Sequence, residues 1–464
     1  MYIANKPENV PNNKSRLVLG KVLMVASLLL VLVSVGLGAY FILAADRTTP
    51  APITKIRVMV PEVKPAAETV QTQVTAIGKQ YMNALLQQHY AVMWSMLQPQ
   101  MQAMWPGENA FITYWKFRFH SYTLQSFSVG SVSQLSFWVN PETMHQYRNV
   151  YSLPISLQIQ PQFPAAQLVK LAPQFQHPSQ LFQHLPLIVQ NTNSAASGDK
   201  AQWQILSGGP ADLESPILPT ITPTYKTVGV PILMYHHVAN VFPTTDLLDR
   251  SLTVTPTLFS AQLDYLKKMG YHSITLNQIM DALYYGGPLP KKPIILTFDD
   301  GYDDAYNYAY PLLKAHDFSG MFYIITGKVG WRGQASWDQL KQMLANGMQI
   351  GSHTIHHVDM GNTYLSSPAL AQQEAQIAQA TLQSNLGIPI QHFCYPNGGP
   401  FKGHNLVLQQ EVVALLAKNG YVSATTDPGP TGFIQSSLTP LVMLRIRVDG
   451  RETFPQFTGS LPPV

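Results

Sequence analysis

The sequence contains a single cysteine, Cys394, in 464 residues. No disulfide can form within the chain, and a cysteine-based zinc finger is excluded. Charge is scarce as well. Asp, Glu, Lys and Arg make up 12% and apolar residues 46%, a globular composition rather than a disordered one. The formal net charge is only +4, with lysines and arginines scattered along the chain. There is no basic stripe of the kind that binds nucleic acid, and no nucleic-acid partner is expected. At this length two or three domains are expected rather than one.

Long apolar runs are also missing, with one exception. Val22–Ala45 is a stretch of 24 residues without a charge, long enough to cross a bilayer as a helix. Lys6, Lys14, Arg16 and Lys21 precede it, opposed by Glu8 alone. The positive-inside rule makes residues 1–21 a cytoplasmic tail and 22–45 a transmembrane signal anchor, with the rest of the chain outside the cytoplasm. A cleaved signal peptide ending at Leu43–Ala45 is the competing reading, although such apolar cores usually run only 7–15 residues.

Proline marks the next boundaries. Residues 46–66 carry TTPAP and PEVKPAA and read as a spacer, and GGPADLESPILPTITPTYK within 208–227 reads as a linker. Between them, 67–207 begins with helical apolar spacing and continues with strand-like runs, an α+β pattern. In element order it resembles a small NTF2-like domain, with a spacer, docking or glycan-contact role expected. From 228 to 464, short apolar strands alternate with helical stretches, which predicts a parallel α/β sheet or barrel.

Chemistry concentrates in that last segment. IILTFDDGYDD (Ile294–Asp304) places Asp299, Asp300, Asp303 and Asp304 within six positions. Asp303 and Asp304 precede a helical pattern and suit a helix N-terminus. Asp299 and Asp300 sit at a strand's C-terminal end, where open α/β sheets and βα barrels build their sites. A cation would reconcile the crowding. MQIGSHTIHHV then offers His353 and His357, whose four-residue spacing predicts two imidazoles on one side of a helical turn. Two histidines and one carboxylate leave open positions on a divalent ion, as catalytic sites need, and free the second carboxylate to act as a base.

These motifs carry a resemblance. TFDDG (Thr297–Gly301) and HTIHH (His353–His357) are similar to the first two motifs of the polysaccharide deacetylases, the NodB-like carbohydrate esterases. FCYPNGG (Phe393–Gly399) resembles the third. PILMYHHV (Pro231–Val238) and SWDQLKQMLANGMQIGSHT resemble members acting on poly-N-acetylglucosamine. The resemblance covers residues 228 to about 450. It implies a distorted (β/α) barrel and a divalent metal, usually zinc, with cobalt, nickel, manganese or iron as variants. By the same resemblance Asp300, His353 and His357 hold the metal and Asp299 is the general base. The backbone N–H of Asn397 is then the oxyanion donor. Tyr302, Trp337, Tyr395 and Pro396 are candidate sugar contacts.

Two departures from the family pattern matter. Many members have an arginine in the third motif that orients the base, and Cys394 stands there instead. Arg445 or Arg447 would have to supply that contact. A late Leu-x-His, whose histidine protonates the leaving amine, is also missing. His236 or His237 at the end of the first strand is the substitute, since imidazole suits that step near neutral pH. The expected reaction is hydrolysis of N-acetyl groups from an extracellular glycan rich in N-acetylglucosamine, giving acetate and free amino sugars. Peptidoglycan is the alternative substrate. A glycan-binding protein with a deacetylase-like barrel and no turnover is the non-enzyme alternative. A non-haem iron oxygenase shares the two-histidine, one-carboxylate ligand set, but has no use for a second carboxylate beside it.

Overall fold

The protein was analysed as a computed structural model that describes residues 60–119, 121–162, 182–192, 202–207, 225–242, 245–426 and 432–462. The expected tail (1–21), membrane span (22–45), most of the spacer and most of the linker lie outside the described residues. No helix among the described residues is long and apolar enough to cross a membrane.

The first half is α+β, as the order of patterns predicts. Helices α1 (Glu68–Leu86) and α2 (Glu108–Arg118) accompany an antiparallel sheet. Its long central strand is Val150–Pro161, paired on one side with Tyr122–Val129 and on the other with Leu185–Asn191. Leu153, Ile155, Leu157 and Ile159 alternate inward along it, the period-two signature of a half-buried strand. Gly78 of α1 lies so close to Leu153 that a β-carbon there would overlap the leucine. Helix and sheet can approach this closely only because that position has no side chain.

The second half is a curled parallel sheet. We label its strands β1 (Ile232–Tyr235), β2 (His272–Ser273), β3 (Pro293–Phe298), β4 (Met321–Ile324), β5 (Gln349–Ser352), β6 (His392–Cys394), β7 (Ser423–Thr425) and β8 (Ile446–Arg447). The order across the sheet is β7-β6-β5-β4-β3-β1-β8, with β2 alongside β3, and every pairing is parallel. Ile294, Ile295 and Leu296 are all buried, as expected of strands covered on both faces. The expectation of a barrel needs correcting in one respect. The end strands β7 and β8 do not pair with each other, and a single parallel bridge, Thr425 to Met443, spans the gap. The sheet is a half-barrel open at that seam.

The halves meet at the N-terminal ends of the parallel strands. Asp281, on α3 (Leu276–Tyr284), is buried with Arg118 of α2; Arg118 Nη1 stands 2.9 Å from its Oδ1, and Tyr114 donates to its Oδ2 at 3.1 Å. Gly347, just before β5, abuts Pro141, Val139 and Met144 of the first half. One apolar cluster runs continuously from Val74 and Phe111 to Ile232, Ile295 and Met321. The opposite ends of the strands are left to the site.

Candidate active site

The site begins where β3 stops. The Asp299 N–H donates to Tyr235 O at 3.0 Å, so the β3–β1 ladder continues one residue past the strand. The chain then turns sharply through Asp300 and Gly301, both at φ +74°. A left-handed Asp300 is a costly conformation, of the sort that surrounding structure must enforce.

Asp299 is buried beneath this turn and is bound by Arg445, which is wholly buried too. Nη1 and Nη2 donate to the two carboxylate oxygens at 2.8 Å each, a bidentate pair. Arg445 Nε also donates to Thr426 O at 2.5 Å. Arg447 points elsewhere, with Nη2 3.4 Å from Ser251 Oγ. Of the two arginines left open by the sequence, geometry selects Arg445. Burial alone would raise the Asp299 carboxyl, but the Arg445 guanidinium outweighs it and holds the group below the usual carboxylate range. The Cys394 thiol completes the cluster, 3.5 Å from Asp299 Oδ2 and 3.3 Å from Arg445 Nη2.

Asp300 faces the histidines. Its Oδ1 lies 3.3 Å from His353 Nε2 and 3.1 Å from His357 Nε2. That oxygen is buried and makes no well-directed hydrogen bond. His353 Nδ1 is 2.8 Å from Cys394 O, which places a proton on Nδ1 and turns Nε2 towards Asp300. Three donor atoms within 4.8 Å of one another, one of them an orphaned buried carboxylate oxygen, fit a divalent cation. Asp299, His353 and Cys394 are as closely grouped, but the Arg445 guanidinium already fills that position with positive charge.

The two histidines do not converge through a helical turn, as their spacing predicted. Residues 353–359 form a loop, with Thr354 at φ +65° and His357 at φ +62°. Buried Glu374, on α4 (Pro368–Leu386), holds the loop. Its Oε2 accepts from the N–H groups of Ile355 and His356 at 2.9 and 3.1 Å, and its Oε1 is 2.6 Å from His356 Nδ1. Sequence reasoning passed over Glu374 because a lone acid in a helix carries no local signal.

His236 is half-buried at the end of β1, where its positive form favours ionisation of both Asp299 and Asp300. His237 belongs to a different group. Its Nδ1 is 2.5 Å from Asp304 Oδ2, and its ring stacks on Tyr302 with centroids 3.7 Å apart. Asp304 therefore does not cap its helix as expected; it binds His237 and accepts from the N–H of Val238 at 3.2 Å. Burial, with the Asp300 carboxylate nearby, holds the Tyr302 phenol above its usual range.

The other candidate sugar contacts divide. Tyr395 and Pro396 are buried, and the Tyr395 hydroxyl donates to Leu441 O at 3.0 Å. Their side chains are core, with no face left for a sugar. Trp337 starts a helix and is partly buried against the core of the sheet. Asn397 is exposed at φ +55° in the turn after β6.

Residues 286–423 match the sequence model of the family described as polysaccharide deacetylase. The chain is 28% identical over 207 residues to a putative polysaccharide deacetylase, YxkH, of Bacillus subtilis, covering 44% of this chain and 67% of that protein. It is 26% identical over 121 residues to the poly-beta-1,6-N-acetyl-D-glucosamine N-deacetylase of Escherichia coli K12, covering 23% of this chain but only 18% of that protein. Among solved structures, the Streptococcus pyogenes deacetylase PplD in complex with acetate aligns with a TM-score of 0.44 at 28% identity, over 52% of this chain and all of that one. Residues 286–423 therefore carry the sequence signature of the polysaccharide deacetylase family.

Proposed function

We propose that the protein is a metal-dependent N-deacetylase of an extracellular glycan containing N-acetylglucosamine, releasing acetate and leaving free amino sugars. One observation carries the reading. A buried carboxylate gripped by a buried arginine, Asp299 with Arg445, adjoins three converging donor atoms of Asp300, His353 and His357. The name of the Escherichia coli relative supports the sugar, and the apolar run Val22–Ala45 supports an outward-facing, membrane-anchored enzyme.

Asp300, His353 and His357 would hold the metal, with zinc the leading choice for two imidazoles and a carboxylate. A divalent cation held there would supply a Lewis acid for the acetamide carbonyl and would ease ionisation of the attacking water. Asp299 takes a proton from the attacking water, and Arg445 keeps its carboxylate ionised and aimed. The Asn397 N–H serves the developing oxyanion. His236, beside both carboxylates, protonates the departing amine. Tyr302 lines the groove.

The test is acetate release from N-acetylglucosamine oligomers by the full chain, stripped of metal and then reloaded with zinc. Release should appear only on reloading and fall by at least about 100-fold in Asp299→Asn. Stoichiometric zinc binding without release from β-1,4 or β-1,6 oligomers would sink the deacetylase reading in favour of a glycan-binding protein.

A further inference from the structure

Trp337 is the one tryptophan among the sugar contacts suggested by the sequence, and the structure directs attention to another. All seven tryptophans lie among the described residues, and six are buried or partly buried. Trp331 alone is exposed, at 65%. It adds little to the core, yet its backbone is fixed in a hydrogen-bonded turn. Its N–H donates to Lys328 O at 2.9 Å, and its carbonyl accepts from Gln334 N at 3.0 Å. Gly330 and Gly333 supply the left-handed corners, both at φ +82°.

This turn is docked on the catalytic strand end. The Ala335 N–H donates to Gly301 O at 3.0 Å, the Asp303 N–H donates to Gly333 O at 3.1 Å, and Tyr302 and Gln334 form an antiparallel bridge. The backbone that presents the indole is therefore tied to the residues on either side of Tyr302, directly after the metal-site Asp300. A rigid aromatic needs only two side-chain torsions fixed on binding, so little ordering entropy opposes contact. The partner should be flat, weakly polar on one face, and adjacent to the acetamide being cleaved. A pyranose ring, with axial C–H bonds on one face, has that shape.

We propose that Trp331 is the platform of a flanking subsite, stacking on the sugar next to the one that is deacetylated. This rests on the glycan deacetylase reading, so the experiment separates the two. Acetate release is measured with the full zinc-loaded chain, on a monomeric N-acetylglucosamine glycoside and on oligomers of increasing length. Trp331→Ala should raise KM for the longer oligomers by about 3- to 10-fold, the range of an aromatic contact of this kind. Its kcat should hold, and its monomer kinetics should match wild type. Trp331→Phe should recover most of the loss. Equal KM values for wild type and Trp331→Ala at every length would overturn the subsite. So would a uniform loss that includes the monomer, which would make the turn merely structural. If wild type releases no acetate, the deacetylase reading fails, and hexamer affinity by calorimetry decides the subsite alone. Weaker binding by Trp331→Ala would then support it, and unchanged binding would end it.

Discussion

Arg445 gives the buried Asp299 two parallel N–H donors. Lysine at 445 would keep the charge and lose the fork. Arg445→Lys should therefore misaim the base, lowering kcat by about 100-fold with a small change in KM, as steady-state acetate release would show. Arg445→Ala should do more harm, since it strands a buried carboxylate at a cost of roughly 3–5 kcal/mol. Its signature is a fall in both activity and denaturation midpoint. The grouping of Asp299, Asp300, His353 and His357 was legible in the sequence, because carboxylates and histidines at strand ends form a local pattern. It could not separate Arg445 from Arg447. Both lie in LRIRV, and the choice is set by how the last strand closes on the first, a contact 146 residues long in sequence. Tyr395 misled for a related reason: its neighbours Phe393 and Phe401 enclose it edge-on only after folding.

At the scale of elements, the histidine loop shows how a spacing can be right for a wrong reason. The four-residue interval does bring His353 and His357 together, but through left-handed turns at Thr354 and His357. The loop is not itself helical, and Glu374 holds it from the neighbouring helix α4, binding two backbone N–H groups and one imidazole. Glu374→Ala should weaken zinc affinity by about 10- to 100-fold, the usual effect of losing a group that orients ligands. Glu374→Gln keeps one acceptor oxygen and should fall between the two. Competition with a chelating dye reads this directly, and circular dichroism shows whether the fold persists. Unchanged zinc affinity in Glu374→Ala would mean that the loop holds itself. The strands were the most readable elements, since a sheet covered on both faces writes continuous apolar runs such as PIILTF. The open seam between β7 and β8 was not, because closure depends on curvature rather than composition.

For the whole molecule, the first half sits at the end of the sheet away from the site. Its contact is a polar knot in an apolar seam. Glu142 lies in that seam with Oε2 buried and unpartnered, and burial pushes its carboxyl up to about 8. The unfolded chain releases that proton near pH ~4.3. The native state thus holds a proton that the unfolded state lacks between these values. The contribution to stability is full below the lower one and lost as pH rises to about 8. The melting temperature of the wild type should fall more steeply between pH 5 and 8 than that of Glu142→Gln. Parallel curves would show that the carboxyl is solvated. The sequence separated the two halves by their composition, but the seam that joins them lies in long-range contacts such as Arg118 with Asp281, 163 residues apart. The lone cysteine has a further consequence. Its sulfur is sealed against the base and its arginine, so a thiol reagent can reach it only when the floor of the site comes apart. With no other sulfhydryl in the chain to compete, the labelling rate of Cys394 is a clock for that opening, and metal or glycan that braces the floor will slow it.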